Sequence, residues 1–188
     1  MGLLYDKKLI FISISVFPLL VSSGMIYSLL PLYIAGLGAS EMHIGLIFTT
    51  GAIVGAITSP FIGKVSDRYG RKPIIILSMI IFVFVFLAYA FTKTYIEIFP
   101  IQAFEGFAWA VIGTVVPAWM TDLIGIDKKG EVLGIFNSTW YMGWIIGPTF
   151  GGYLANIYGF RFVFLVCSIM IAIGLIFIIF SVSNNKVQ

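Results

Sequence analysis

An all-α membrane protein, with six transmembrane helices arranged as two inverted three-helix repeats, is the fold class that this sequence predicts. Three observations carry it. Of the 188 side chains 60% are hydrophobic and 10% charged, with a mean hydropathy of +1.08, whereas soluble domains carry about 25% charged residues. The apolar residues come in runs that reach the roughly 20 residues a bilayer crossing needs. Shifting the chain along itself by 89 residues also superposes a set of glycines and aromatic residues, the mark of an internal repeat.

The spans are drawn at residues 9–35, 42–62, 73–91, 95–121, 131–155 and 160–182. The first is too long for the core of a signal peptide and lacks a cleavage site, so it is read as retained. The second ends in a polar stretch, and Pro73 stands in the first turn of the third, where its missing N–H costs nothing. The fourth carries a carboxylate, Glu105, the fifth a run of spaced glycines, and the sixth the single cysteine, Cys167, which excludes an internal disulfide. Short connections leave no residues for a soluble domain. Residues 1–188 are therefore expected to form one six-helix bundle, with repeats at about 1–92 and 93–188.

Charge sets the orientation. Lys7, Lys8, Lys64, Arg68, Arg71, Lys72, Lys128, Lys129 and Lys186 fall on one side, against Lys93 and Arg161 on the other. Both termini are then expected in the cytoplasm of a cell that carries this protein in its plasma membrane. The net charge of +3 is spent on this bias, so the sequence does not point to nucleic acid.

The repeat pairs Gly45 with Gly134, Phe61 with Phe150, Gly63 with Gly152, Tyr69 with Tyr158 and Gly70 with Gly159, and sets Asp67 on Asn156. Ser28-Leu-Leu-Pro31 is matched by Thr114-Val-Val-Pro117 at a slightly different shift. A unit of three helices crosses the membrane an odd number of times, so its two copies face opposite ways, as inverted repeats of transporters do.

The most concentrated polar segment is Gly63-Lys-Val-Ser-Asp67-Arg68-Tyr-Gly70-Arg71-Lys72, read as a cytoplasmic loop. Gly63 would let helices approach closely, and Gly70 suits a tight turn or helix end. Asp67 would pair with an arginine or cap a neighbouring helix, and the basic residues would hold the loop inside or reach carbonyls at a helix end. On spacing alone the alternative is a positively charged turn with no role beyond topology. In the fifth span Gly143, Gly147 and Gly151 recur every four residues, followed by Gly152, and leave a smooth groove for a neighbouring helix. Pro148 can bend the helix there.

Gly63-x3-Asp67-Arg68-x-Gly70-Arg71-Lys72 resembles the signature loop between helices two and three of the major facilitator superfamily. Gly143-Trp-Ile-Ile-Gly147-Pro148-Thr-Phe-Gly151-Gly152 resembles that family's helix-five motif, associated with proton-driven antiporters and drug exporters. Tyr158-Gly-Phe-Arg161-Phe also fits the family. The resemblance covers the whole chain but only the N-terminal six helices of a fold that usually has twelve or fourteen. It implies a secondary transporter of small molecules, proton-coupled, with Gly63–Lys72 as an inner gate closed by a salt bridge from Asp122 to Arg71 or Arg68. It also implies a fifth helix packed on the other half, and a second six-helix half or a second copy as partner. A truncated, non-transporting half or a helper subunit is the alternative.

The fourth span departs from the family. Where Arg-x3-Gly is usual, this chain has Gln102-Ala-Phe-Glu105-Gly106. Glu105 lies about ten residues from the outer end, about 15 Å deep at 1.5 Å per residue, where an unpaired charge costs several kcal/mol. It is expected to face a cavity as a proton or substrate site, or to be a neutral acid bonded between helices. Gln102, Gly106, Trp109 and Gly113 share its face by spacing. Ser23 and Tyr27, and Asn137, Tyr141 and Trp144, each share a face and would line an apolar cavity or merely pack. His43 is expected in the outer loop, solvated, and a lone histidine makes no metal site. No nucleophile–base pair or metal cluster argues for an enzyme, and no cofactor is called for. The expected partners are the lipid bilayer, a small-molecule substrate, protons and the second half.

Overall fold

In the computed structural model, which describes residues 6–180, six long helices account for nearly the whole chain. They are α1 (Lys7–Gly36), α2 (Glu41–Tyr69), α3 (Arg71–Phe91), α4 (Ile98–Ile124), α5 (Lys129–Tyr158) and α6 (Phe160–Phe180), with single 3-10 turns at Tyr95–Glu97 and Ile126–Lys128. The Asp6 carboxylate accepts from the Lys8 amide at 2.8 Å to start α1, and Ser40 Oγ accepts from His43 N at 3.4 Å to start α2. Both supply a partner for amides that a helix start leaves orphaned. Four of the five connections turn on a glycine with positive φ: Gly38, Gly70, Gly125 and Gly159. At the remaining one, Glu97 accepts from Lys93 N at 2.9 Å and from Thr94 Oγ at 3.3 Å.

Helix α2 runs to Tyr69, seven residues past its expected end. The polar segment is thus helix up to Gly70, and α3 resumes at Arg71. Only one residue is a turn. Lys186 and the last two residues of the expected sixth span lie outside the described residues. His43 sits in the first turn of α2, not in a loop, and is half-buried. Its ring lies 4.8 Å from that of Tyr95.

Helix α1 packs along α5 and α6, α4 packs along α2 and α3, and α3 packs on α6. Buried residues cover most of the circumference of α1, whereas α2 buries only Ile47, Gly51, Ile62 and Ser66, and α5 only Val132, Phe136, Gly143, Gly147 and Gly151. The core lies between α1, α3, α4 and α6, where Phe82, Phe86, Tyr89 and Phe164 are fully buried. With lipid tails as apolar as leucine, helices in a membrane are held by close packing and interhelical hydrogen bonds. Ser78 Oγ donates to Ala108 O and Ser168 Oγ to Val83 O, each at 2.9 Å, tying α3 to α4 and α6. Among the described residues five helices are long and apolar enough to cross a membrane. The exception, α5, has 30 residues, but Asn137, Ser138, Thr139 and its glycines dilute its hydropathy.

Candidate functional site

The site begins at two glycine crossings. A Cβ on Gly106 of α4 would lie 2.8 Å from Gly51 Cα, and one on Gly147 of α5 would lie 2.8 Å from Gly24 Cα of α1. Backbones in such contact admit no side chain. Beside the α2–α4 crossing lies a cavity of about 430 Å³. Its walls are Tyr27 from α1, Phe48, Gly51, Ala52, Gly55, Ala56 and Ser59 from α2, and Gln102, Gly106, Trp109 and Ala110 from α4. Within this wall the polar side-chain groups are two hydroxyls, an amide and the indole N–H of Trp109, and none is charged.

Glu105 lies directly behind the wall, fully buried. Its carboxylate oxygens meet Tyr89 Oη at 2.5 Å and Trp109 Nε1 at 3.3 Å, and Tyr27 stands near the same group. Tyr89 Oη also lies 2.7 Å from Gln102 Oε1. No ion pair reaches Glu105 among the described residues. Its hydrogen bonds, each worth about 0.5–1.5 kcal/mol net, come from side chains that also line the cavity or stand one residue deep. Around them the rings of Tyr27 and Trp144 stack at 6.2 Å, and Trp109 packs on Phe82 and on Trp140, each at 5.0 Å. The result is a chamber with three aromatic side chains, Tyr27, Phe48 and Trp109, and the Gln102 amide in its wall, and the Glu105 carboxyl behind it.

At the other end of α4 a polar cluster ties three helices together. The Arg71 guanidinium contacts Asp67 at 2.6 Å through Nη2 and Asp122 at 2.9 Å through Nε, and Nη1 donates to Ser66 Oγ at 2.6 Å. Lys72 Nζ donates to the carbonyl of Ile179, near the end of α6, at 2.9 Å. Gly70, with φ at +95°, makes the single-residue break that puts Arg71 opposite Asp67. Arg68 takes no part in this pairing. It lies over the Tyr69 ring at 5.6 Å, so Asp122 pairs with Arg71.

Several expected site residues stand elsewhere. A Cβ on Gly63 would meet only Thr114 at 3.9 Å, ordinary contact, so no close approach needs glycine there. Gly152 and Gly113 have nothing within 4 Å. Gly143, Gly147 and Gly151 do form a seam, but against Leu20, Val21, Gly24 and Met25 of α1, which occupies the face expected to meet another half. Asn137 and Tyr141 are exposed on α5 and do not line the cavity. Ser23 is buried and donates back to Leu20 O at 2.9 Å. Tyr89 and Trp140, which sequence reasoning passed over, complete the chamber. Nothing in their own helices distinguishes them from packing aromatics.

The sequence profile of the Major Facilitator Superfamily matches residues 12–187. An uncharacterized MFS-type transporter of Methanocaldococcus jannaschii is 30% identical over 165 residues, which take in 88% of this chain and 43% of that protein. The multidrug resistance protein MdtG of Proteus mirabilis is 32% identical over 170 residues, 86% of this chain and 41% of its own length. The quinolone resistance protein NorA of Staphylococcus aureus is 24% identical over 152 residues, 81% of this chain and 39% of its own. The crystal structure of the human organic anion transporter MFSD10 superposes with a TM-score of 0.74 at 16% identity, covering 91% of this chain and 46% of that one, a likeness of fold. The chain spans less than half the length of these relatives. A profile match over nearly its full length, together with the helix order and the two motifs, makes this multi-pass membrane chain a member of the Major Facilitator Superfamily.

Proposed function

We propose that the chain is one half of a secondary active transporter that exports small amphipathic compounds in exchange for protons. It works against a second six-helix half or a second copy of itself. The observation that carries this reading is the aromatic cavity of about 430 Å³ with fully buried Glu105 behind its wall. A carboxyl held in that setting by neutral donors can gain or lose a proton where a substrate sits, and a cavity of aromatic faces and hydroxyls suits amphipathic molecules. The multidrug and quinolone resistance names of MdtG and NorA agree with it. Asp67, Arg71 and Asp122 would be the inner gate, with Gly70 as its hinge, and Lys72 would fasten α3 to α6. The excess of basic residues on that side supports a cytoplasmic location for it, and the membrane proposed is the plasma membrane.

The inverted repeat is part of the proposal, and the packing supports it. Exchanging α1, α2, α3 for α4, α5, α6 turns the α1–α5 pair into α4–α2 and the α1–α6 pair into α4–α3, and returns α3–α6 to itself. The positive-φ glycines fall in matching connections, Gly38 with Gly125 and Gly70 with Gly159. Prolines recur inside α2 at Pro60 and inside α5 at Pro148.

The test is flux of ethidium into everted membrane vesicles carrying the chain, driven by an imposed proton gradient. Gradient-dependent uptake is expected, and Glu105→Gln should abolish its dependence on pH. An unaltered pH profile in that variant would remove Glu105 from proton coupling. Absence of flux under every gradient, with the chain monomeric by cross-linking, would favour a non-transporting half.

A further inference from the structure

The hydrogen bonds behind the cavity cannot all be made in the same orientation of Gln102 by both charge states of Glu105. A phenol has a single O–H to donate, an amide oxygen only accepts, and an ionised carboxylate only accepts. Tyr89 Oη stands 2.7 Å from Gln102 Oε1 and 2.5 Å from Glu105 Oε2. If Tyr89 donates to Gln102, the hydrogen between Tyr89 and Glu105 has to be the carboxyl's own. That arrangement belongs to neutral Glu105. When Glu105 gives up its proton, Oε2 only accepts, and the Tyr89 O–H turns to it. Gln102 can then satisfy Tyr89 only by turning its amide over, so that Nε2 donates to Tyr89 Oη. The other end of the amide faces the cavity, where a Cβ on Gly51 would lie 3.0 Å from Nε2.

We propose that the Gln102 amide is a proton-linked switch in the cavity wall, and that Tyr89 is the positioning residue that forces it to turn. With Glu105 protonated the wall offers an N–H donor, and with Glu105 ionised it offers a carbonyl acceptor. The Gln102 position in the wall thus accepts hydrogen bonds from N–H groups of a cationic guest only after the proton has gone. One proton leaves per cycle: Glu105 releases it to solvent entering the cavity, while Tyr89 keeps its covalent O–H throughout. The groups facing Glu105 are Tyr27 from α1, Tyr89 from α3 and Trp109 on α4 itself. From α2, Gly51 and Gly55 lie against Gln102 and Gly106 beside it, and from α5 the rings of Phe136 and Trp140 stand beyond Trp109. Among the described residues no other titratable side chain contacts it. As a gate on which guest binds, the switch rests on the exchanger reading above, but its chemistry can be measured without transport.

The chain has two glutamines, Gln102 and Gln188, and four glutamates, so selective labelling gives few signals. In the full chain in lipid nanodiscs, side-chain amide nitrogens of glutamine and carboxyl carbons of glutamate are followed by NMR through a pH titration. The Gln102 amide signal is expected to shift with the same midpoint as the Glu105 carbon. In Tyr89→Phe the carbon still titrates and the amide no longer follows. In Glu105→Ala the amide is indifferent to pH. A Gln102 signal that stays still while Glu105 titrates in the unaltered chain overturns the switch, as does a Glu105 carbon that does not titrate while the chain stays folded. Coupling that survives Tyr89→Phe removes Tyr89 from it. A chain that shows the coupled titration but moves no ethidium keeps the switch and loses the exchanger.

Discussion

Replacing Gly106 by alanine tests the close α2–α4 crossing on which the cavity depends. The added Cβ would lie 2.7 Å from the Gly51 carbonyl carbon and 2.8 Å from its Cα. Carbon atoms rest at about 3.5 Å, and the Gly51 carbonyl oxygen stands nearer still, so α2 has to retreat by at least about 0.7–0.8 Å. None of these atoms belongs to a side chain that can swing aside. A retreat of that size forfeits a quarter to a half of the dispersion energy of the contacts it opens. Overpacking of this kind costs about 1–3 kcal/mol, or roughly 2–12 °C of melting temperature for a chain of this size. Cys167 supplies the assay. It is the only cysteine and is fully buried, so a dye that fluoresces on reaction with thiols reports the loss of the folded bundle. Gly152→Ala is the control, since nothing lies within 4 Å of its Cβ and alanine gains about 0.5–1 kcal/mol in a helix interior. If Gly106→Ala melts within about a degree of Gly152→Ala, the crossing is looser than argued, and the account of the cavity falls with it.

Three further changes separate parts of the molecule. Gly70→Ala places a Cβ on a residue with φ at +95° and should cost about 1–3 kcal/mol in the same assay; Gly36→Ala, a helical position with open space around it, should not. Asp122→Asn removes an ion pair whose carboxylate side chain is 40% exposed, so its effect should stay below about 1 kcal/mol and fade as salt is raised. A larger, salt-independent loss would mean that the pair is more deeply enclosed. Tyr33→Phe deletes a buried hydroxyl that donates toward the Tyr89 and Thr92 carbonyls and meets Thr92 Oγ1 at 2.8 Å. It should cost about 1 kcal/mol and leave any pH dependence of flux untouched, since Tyr33 does not contact Glu105.

Helix number and order were legible because each helix is announced by its own apolar run, a local property. Glu105 and Gln102 were legible for the opposite reason: a polar residue inside such a run costs free energy and therefore stands out. Tyr89 does not stand out. It lies in Leu-Ala-Tyr-Ala-Phe, where a tyrosine reads as a packing aromatic, and its worth comes from α4, which its own sequence cannot show. The fifth helix illustrates how narrow the margin is. Trp140 and Tyr141 are neighbours, yet about 100° apart around the axis, so one packs on Trp109 while the other is exposed. The seam at Gly143, Gly147 and Gly151 was visible as a period of four, but a period names a face and not its partner. The segment ending at Tyr69 read as a loop because its charges resemble one, although the amides of such a segment can continue a helix at the membrane surface.

The position of α4 links the cavity to the polar cluster. Gly106 is its tightest crossing with α2, and Asp122 lies sixteen residues further along the same helix, about 24 Å at 1.5 Å per residue. A rigid tilt of α4 by about 5° at Gly106 carries its far end about 2 Å on that arm. Directed away from Arg71, this moves the 2.9 Å Asp122 contact well past ion-pairing distance. Gln102, only one turn from the pivot, is displaced by about half an ångström on the same geometry. A small rearrangement at the wall of the cavity therefore appears enlarged at the polar end, provided that α4 stays straight. Pro117 lies between the two and removes one backbone hydrogen bond. A change there that stiffens the helix, Pro117→Ala, should tighten the coupling between occupancy of the cavity and the Arg71–Asp122 distance, measured by spin labels at the ends of α2 and α4. If the label distance responds to ethidium equally in both chains, the helix already moves as one rod and the proline is not a joint.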